Sequence, residues 1–257
     1  MIDPSNLVIQ GFWSGPITAM ERLSMASFIT NGHQYHLYTY GPPDGEVPAG
    51  VVVKDANEIV PESQVSLFRC STHFSDLFRV ALLLKKGGWH SDLDNICLRH
   101  LDFTANYCFY RDQDESTISL ALSKVPAGSP LMQHCYEYIR SMPQDERERL
   151  SWQAIGPDFT CGAIEYFGLA QYAQPGRAFD PVHWSNARRL IDPAFQPDLS
   201  QSYSLHLFHA AWNQGPQDRY GAGWDLGQPS GEQISTDGKF HPNCLYEKLK
   251  RRFNVQA

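Results

Sequence analysis

The stretch from Phe74 to Leu98, FSDLFRVALLLKKGGWHSDLDNICL, constrains the fold more than any other part of this chain. Its first half carries apolar side chains around most of a helical circumference, which predicts a largely buried helix over about 72–86. Lys85, Lys86 and Gly87 suit a helix C-terminus: the cations face the negative end of the helix dipole, and glycine tolerates a left-handed stop. Trp89 to Ser91 then reads as a return to a sheet, delivering Asp92 to its edge.

The remainder alternates between strand-like and helical stretches. LVIQGFW, YHLYTY, YCFY, ISLALS and SLHLFH read as strands, and VVVKDA as a third strand or a sheet edge. Helical spacing runs from Ile17 to Ile29 and is stopped by Asn31-Gly32; a second helix, SPLMQHCYEYIRSM, is ended by Pro143. A short helix is expected beyond Pro157 and a terminal one near Asn243 to Phe253. The alternation predicts an α/β protein. With no internal repeat and no clear linker, residues 1–257 read as a single domain.

Apolar residues at 42% and charged residues at 19% exclude a disordered or fibrous chain. A formal charge of −7 argues against a general nucleic-acid binder, which needs a basic stripe. The basic cluster Lys248, Lys250, Arg251 and Arg252 reads first as a solvated helix end, and is the one segment suited to contact with an anionic membrane. MIDPSNLVIQ lacks the pattern of a secretory signal, and VALLL is too short to span a bilayer, so a cytoplasmic location is expected, membrane-peripheral at most. The six cysteines lack a C-x-x-C pair and read as buried free thiols.

Asp92 and Asp94 pose the central question. In extended backbone, residues two apart face one side, so both carboxylates would converge on a hard cation such as Mg²⁺ or Mn²⁺. The plainer reading is an acidic turn, with Asp92 ending it and Asp94 paired to a base such as Arg99. A second acid pair, Asp112 and Asp114, lies in the polar stretch RDQDES and reads as a solvated loop. Asp76 and Arg79 lie three apart on one helical face within an apolar segment, where charges need a partner or a ligand. That favours a polar pocket beside the first pair.

Taken together, Ser75, Asp76, Arg79, Gly87, Gly88, Trp89, Asp92 and Asp94 form the pattern S-D-x-x-R, apolar helix, G-G, aromatic, two residues, D-x-D. This resembles the sugar-binding, D-x-D-containing glycosyltransferases related to the initiating α-1,6-mannosyltransferase and the α-1,4-galactosyltransferases, and more distantly the glucosylating clostridial toxins. IQGFWSGP resembles their first strand, with Trp13 and Gly15 beside the nucleotide base. SLHLFHAAW resembles their late His-to-Trp segment, with His206 and Trp212, and Gly156-Pro157 resembles a central G-P pair.

The resemblance implies a GT-A type fold, with a mixed central sheet flanked by helices, and retaining transfer from a nucleotide-diphosphate sugar, UDP favoured and GDP as the alternative. It implies Mn²⁺ or Mg²⁺ on Asp94, with Asp92 touching donor and metal and His206 a late ligand. Asp76 and Arg79 would hold sugar hydroxyls, Trp13 would stack on the base, and Trp212 would order the C-terminal loop over the donor. His209 is a weaker candidate than His206, since it would face the other side of the same strand. Asp158 and Thr160 are candidates for the acceptor side, with Asp158 as a helix cap the plainer reading. The Gly-rich stretch from Tyr220 to Gly231 is a candidate lid. Where the family often has an aromatic or aliphatic residue, then Tyr, then a small residue or Leu, this chain has Trp89, His90 and Ser91, so the sugar is not carried over.

The resemblance implies as acceptor a glycan, lipid or protein hydroxyl. A carboxylate nucleophile cannot be nominated from the sequence, and a front-face route is implied. The alternatives are a non-catalytic carbohydrate or nucleotide-sugar-binding module and an aspartyl-phosphate phosphotransferase with Asp92 as nucleophile.

Overall fold

The β-branched and aromatic residues of the N-terminal half build a parallel sheet around Val8–Phe12 (β1). In this computed structural model, which describes residues 4–68, 70–151, 153–212 and 233–256, β1 pairs in parallel with Gln34–Thr39 (β2), and β2 with Val51–Asp55 (β3). Between β1 and β2 runs Ala19–Thr30 (α1). Its start is set by a capping box, in which Thr18 accepts from the Met20 backbone and Glu21 accepts from the Thr18 N–H. Asn31 caps its C-terminus, and Gly32 follows at φ 88°.

Ser71–Lys86 (α2) crosses over to Gly88–Ser91 (β4), which lies on the other side of β1. Gly87 ends the helix at φ 64°, a conformation that costs a side-chain-bearing residue, and a Cβ there would meet the Ala127 Cα at 2.8 Å. The break Gly87-Gly88 therefore permits the sharp return that the sequence implies.

The three-residue Asp92–Asp94 connection leads to Asn95–Cys97 (β5), and Cys108–Arg111 (β6) and Ile118–Val125 (β7) follow. Beyond come Pro130–Ser141 (α3), Gln144–Arg147 (α4), Pro157–Tyr166 (α5), Ala173–Gln174 (β8) and Gly176–Phe179 (α6). Ser204–His206 (β9), His209–Trp212 (α7) and Leu245–Arg252 (α8) complete the described elements. The large sheet has the order β3-β2-β1-β4-β7-β6-β8. Only β7 runs against the others, so the sheet is mixed. β5 and β9 form a separate antiparallel pair.

One face of the sheet is covered by α2, α3 and α5, whose Leu77, Phe78, Leu131 and Ile164 share a core with Phe12 and Leu120. On the other face Met25 and Phe28 of α1 pack with Ile9, Leu37 and Trp89. A third cluster joins Met20 and Leu23 to Ile96, Leu205, Trp212 and α8. This is the expected α/β architecture, a central mixed sheet flanked by helices. The long run SLHLFH departs from expectation: only its first three residues form strand, because Phe208 takes a left-handed φ of 54° and turns the chain into α7. Among the described residues no helix is long and apolar enough to cross a membrane.

The chain proceeds from β1 to β2 in one direction and from α2 to β4 in the other. The crevice between the carboxyl ends of β1 and β4 is thus where the strand order reverses, the place where open α/β sheets bind ligands. Gly11 keeps it tight: a Cβ there would lie 2.9 Å from the Ser91 carbonyl oxygen.

Candidate active site

β4 ends at Ser91, and the acid pair follows at the mouth of that crevice. Residues 92–94 do not run on as a strand, since the Asn95 N–H donates to the Asp92 carbonyl at 3.2 Å and closes a turn through Leu93 and Asp94. Leu93 points into the core and anchors it. The expectation that residues 92 and 94 face one side of a strand is therefore corrected. The turn sends the two carboxylates to different partners.

Asp92 reaches back to α2. Arg79 donates through Nη2 to both of its oxygens, at 3.0 and 2.8 Å, while Nη1 lies 3.2 Å from Asp76 Oδ1. Asp94 reaches forward instead. Its Oδ2 lies 3.2 Å from His206 Nε2 and accepts the His209 backbone N–H at 2.9 Å. The Leu207 N–H also donates to the Asp94 carbonyl, so β5 and β9 continue as one ladder into the turn. Arg99, the base considered for Asp94, instead donates to the Gln201 carbonyl and stacks over Tyr203.

Burial governs the electrostatics. Asp76, 4% exposed, is pushed up to about 6 by burial, with Asp92 adding to the rise and Arg79 and His73 opposing it. Burial also raises Asp92 despite Arg79. Asp94 behaves differently: burial opposes its charge, yet His206 and the His209 backbone hold its carboxyl well below the ordinary range. Burial likewise works against charge on His206, but Asp94, Asp180 and Asp92 outweigh it and push the imidazole up to about 9. His90 is kept neutral by burial and by Arg79, so its 3.7 Å approach to Asp92 is not an ion pair.

The Asp94 Oδ1 atom is buried and has no hydrogen-bond partner. A lone carboxylate oxygen at the rim of a crevice suits a hard cation. Among the described residues no group of three or more His, Cys, Asp and Glu side chains forms a ready cage. Mg²⁺-type sites are commonly completed by substrate phosphates and water around one or two carboxylates, so Asp94, with His206 beside it, fits such an ion bound together with a diphosphate. Asp92 is less available, because Arg79 occupies both its oxygens.

Trp13 leaves β1 beside this crevice. Its indole N–H donates to the Pro16 carbonyl at 3.0 Å, and its ring meets His209 edge-on at 5.6 Å. With Gly15, Thr39, Tyr40 and Asp44 it lines a recess of about 290 Å³. His209 is not turned away on the far side of a strand as expected: the bend at Phe208 brings its backbone to Asp94 and its ring to Trp13.

Other candidates fall elsewhere. Trp212 is fully buried, packed on Tyr246 at 4.8 Å in the third core cluster, and so has a core role in place of a position on the crevice. Thr160 is buried and donates its hydroxyl to the Gly156 carbonyl at 2.8 Å, a helix-start bond. Asp158 is exposed in the first turn of α5, where Gly156 is the N-cap, so it is not the cap itself. Gly156 does touch the site: a Cβ there would lie 2.7 Å from Asp76 Oδ2. Residues 220–231, the candidate lid, lie outside the described residues.

Asp112 and Asp114 behave as expected of a polar loop. Asp112 accepts from Ser116 and Thr117, and Asp114 lies 3.1 Å from His183. The C-terminal basic cluster is a solvated face at Lys248, Arg251 and Arg252, as expected, and departs from it only at Lys250. Lys250 is buried and lies 2.7 Å from Glu247, Arg252 donates to the Leu98 carbonyl, Lys248 to Gln196 and Arg251 to the Pro242 carbonyl. Each of those cations also has an acceptor within the protein.

Asp180 was not singled out from the sequence. It is 4% exposed, its Oδ1 lacks a partner, and burial pushes it up to about 7, with Asp112 and Asp94 adding to the rise and His206 opposing it. FDP in a loop carries no local pattern that marks such a residue. The chain returns through α6, where the Ser204 hydroxyl donates to the Phe179 carbonyl, and only that packing brings Asp180 toward His206.

Residues 47–110 match the family described as glycosyltransferase sugar-binding region containing DXD motif. The match spans Asp76, Arg79, Asp92 and Asp94, the residues that carry the resemblance found in the sequence. Among solved structures, one described as PaToxG Glycosyltransferase aligns at 15% identity and a TM-score of 0.45, over 66% of this chain and 70% of its own. No curated protein sequence matches the chain.

Proposed function

We propose that this protein is a metal-dependent, retaining glycosyltransferase of GT-A type that moves a sugar from a nucleotide-diphosphate donor to a hydroxyl of a glycan, lipid or protein. The observation that carries this reading is the unpartnered, buried Oδ1 of Asp94, set at the β1/β4 crevice within the segment that matches the D-x-D family. UDP-sugars are favoured as donors, with GDP-sugars the alternative. The recess beside Trp13 offers an aromatic face for the base of either.

In this reading Asp94 holds the Mn²⁺ or Mg²⁺ ion, and His206 would join it only by giving up the proton it shares with Asp94; the ion when bound would neutralise the charge growing on the departing diphosphate. Asp76 and Arg79 orient sugar hydroxyls. The Arg79 clamp keeps Asp92 at the crevice, where it can meet the donor's ribose or sugar. Positioning and electrostatic stabilisation supply most of the rate, with the donor's own phosphate oxygen taking the acceptor proton on the front face.

The test is a thermal-shift screen of UDP- and GDP-sugars with and without Mn²⁺, followed by a donor-hydrolysis assay on native protein and Asp94→Asn. A metal-dependent shift with slow hydrolysis, both lost in D94N, supports the proposal. Nucleotide-sugar binding without hydrolysis or transfer would identify a binding module instead, and absence of any binding would reject both.

A further inference from the structure

The short 3₁₀ helix Glu62–Leu67, between β3 and α2, is a wall with two sides. Side chains three apart in such a helix eclipse one another, so Glu62 and Val65 share one side and Gln64 and Leu67 the other. Glu62 and Val65 line the recess beside Trp13. Gln64 and Leu67 line a second recess of about 190 Å³, bounded also by Phe68, Leu77 of α2, Arg140 of α3 and Arg147. The only acid of this helix therefore faces the first recess, and the two arginines face the second.

Neither guanidinium is neutralised by the protein. Arg140 Nη1 donates to Gln64 Oε1 at 2.6 Å, and Arg147 Nη2 donates to the Arg140 carbonyl at 2.9 Å, so both acceptors are uncharged. Among the described residues neither arginine has a carboxylate at ion-pair distance, and Asp145 of α4 is paired with Arg149 instead. The buried Nε of Arg147 has no acceptor, and its Cζ stands 5.4 Å from the centre of the Phe68 ring, an apolar setting in which an unanswered charge is costly. Two such cations side by side call for an explanation in a chain of formal charge −7. Leu67, 38% exposed, adds an apolar surface to the same recess.

We infer that this recess binds a phosphate monoester carried on an apolar stem. A phosphoryl group near two negative charges matches the two guanidiniums, and its oxygens accept from their forked N–H groups. Gln64 Nε2 has no acceptor among the described residues and supplies a further donor. Leu67 and Phe68 receive the stem. A carboxylate brings a single charge and leaves one cation unanswered. No residue of the proposed donor site takes part, so the two sites stand or fall separately.

Calorimetric titration of the full chain with hexyl phosphate, in EDTA and without nucleotide sugar, tests this. The expected result is one site, weakened about tenfold or more in Arg140→Gln and in Arg147→Gln, the scale of one charged hydrogen bond. Hexanoate and inorganic phosphate, the first short of a charge and the second of a stem, should each bind at least about tenfold more weakly than hexyl phosphate. Absence of binding, binding unchanged in both variants, or hexanoate binding as tightly as hexyl phosphate would overturn the inference. Arg147 also holds the last turn of α3, so if R147Q does not fold, Arg140→Gln, on an exposed side chain, decides. Vesicles carrying phosphatidate then identify the source of the ester. Retention on them that hexyl phosphate competes away supports a lipid headgroup, and hexyl phosphate binding without retention supports a soluble ester.

Discussion

Arg79 grips both carboxylate oxygens of Asp92, at 3.0 and 2.8 Å, from thirteen residues earlier in the chain. This bidentate bond ties α2 to the end of β4 and leaves Asp94 as the acid with a spare oxygen. The two acids of the motif thus do different work: Asp92 belongs to the Asp76–Arg79 network, and Asp94 to the β5/β9 ladder and its histidine.

Replacing Asp94 by Asn should therefore cost far more activity than replacing a peripheral donor contact. The expected loss in donor hydrolysis and transfer is about 100-fold or more, the scale of removing a group that stabilises a leaving-group charge. Asp92→Asn should weaken donor binding more than turnover at saturating donor. Steady-state kinetics on both variants separates the two effects.

Removing Arg79 strands two acids that face each other across its guanidinium. Arg79→Ala is expected to destabilise the fold by about 3 kcal/mol, with Asp76 bearing most of the cost because it is the more buried acid. Urea denaturation measures it, and Arg79→Ala combined with Asp76→Asn should recover part of the loss. A double variant no more stable than R79A would show that the two side chains are not coupled.

Asp180 makes stability depend on pH in a direction unusual for a carboxylate. Its pKa rises on folding from near 3.8 to about 7, so the folded state holds the proton more tightly. The favourable contribution is complete below about pH 4 and is lost as pH rises through about 7, amounting to on the order of 4 kcal/mol. Asp180→Asn should flatten that slope and leave the variant more stable than the native chain near pH 8. Thermal unfolding at about pH 5 and about pH 8 checks it, with the same difference at both values counting against this account.

Gly156 tests how the helix start holds the site. A Cβ there would press on Asp76 Oδ2 at 2.7 Å, and the adjoining backbone is anchored by the Thr160 hydroxyl. Gly156→Ala should cost about 1–3 kcal/mol and displace the Asp76 carboxylate, weakening donor affinity. A donor titration by calorimetry that matches native affinity would contradict it.

Much of the sheet was legible because its signals are local. The run of apolar residues ending in Lys85-Lys86-Gly87 predicts α2 to within a residue of its observed start, and the β-branched VVVKDA predicts the edge strand β3. The site was legible only in part. The spacing of Asp76 and Arg79 is a helical property and was read correctly as one face. The spacing of Asp92 and Asp94 was read as extended, and a single turn bond from Asn95 reverses that reading. His209 was assigned to the wrong side because the left-handed turn at Phe208 leaves no mark in a run of apolar and aromatic residues.

By itself, the amino-acid order determined the principal helices and strands to within a few residues, which helix is buried, and which acids stand at the end of β4. Periodicity and capping act over a few residues, so neighbours alone suffice to specify them. The tertiary structure decided which partner each acid takes, that Trp212 and Lys250 turn inward, and that Asp180 lies in the electrostatic reach of His206. Those outcomes depend on desolvation and on charges contributed by segments about a hundred residues apart, and only the packed chain brings them within range.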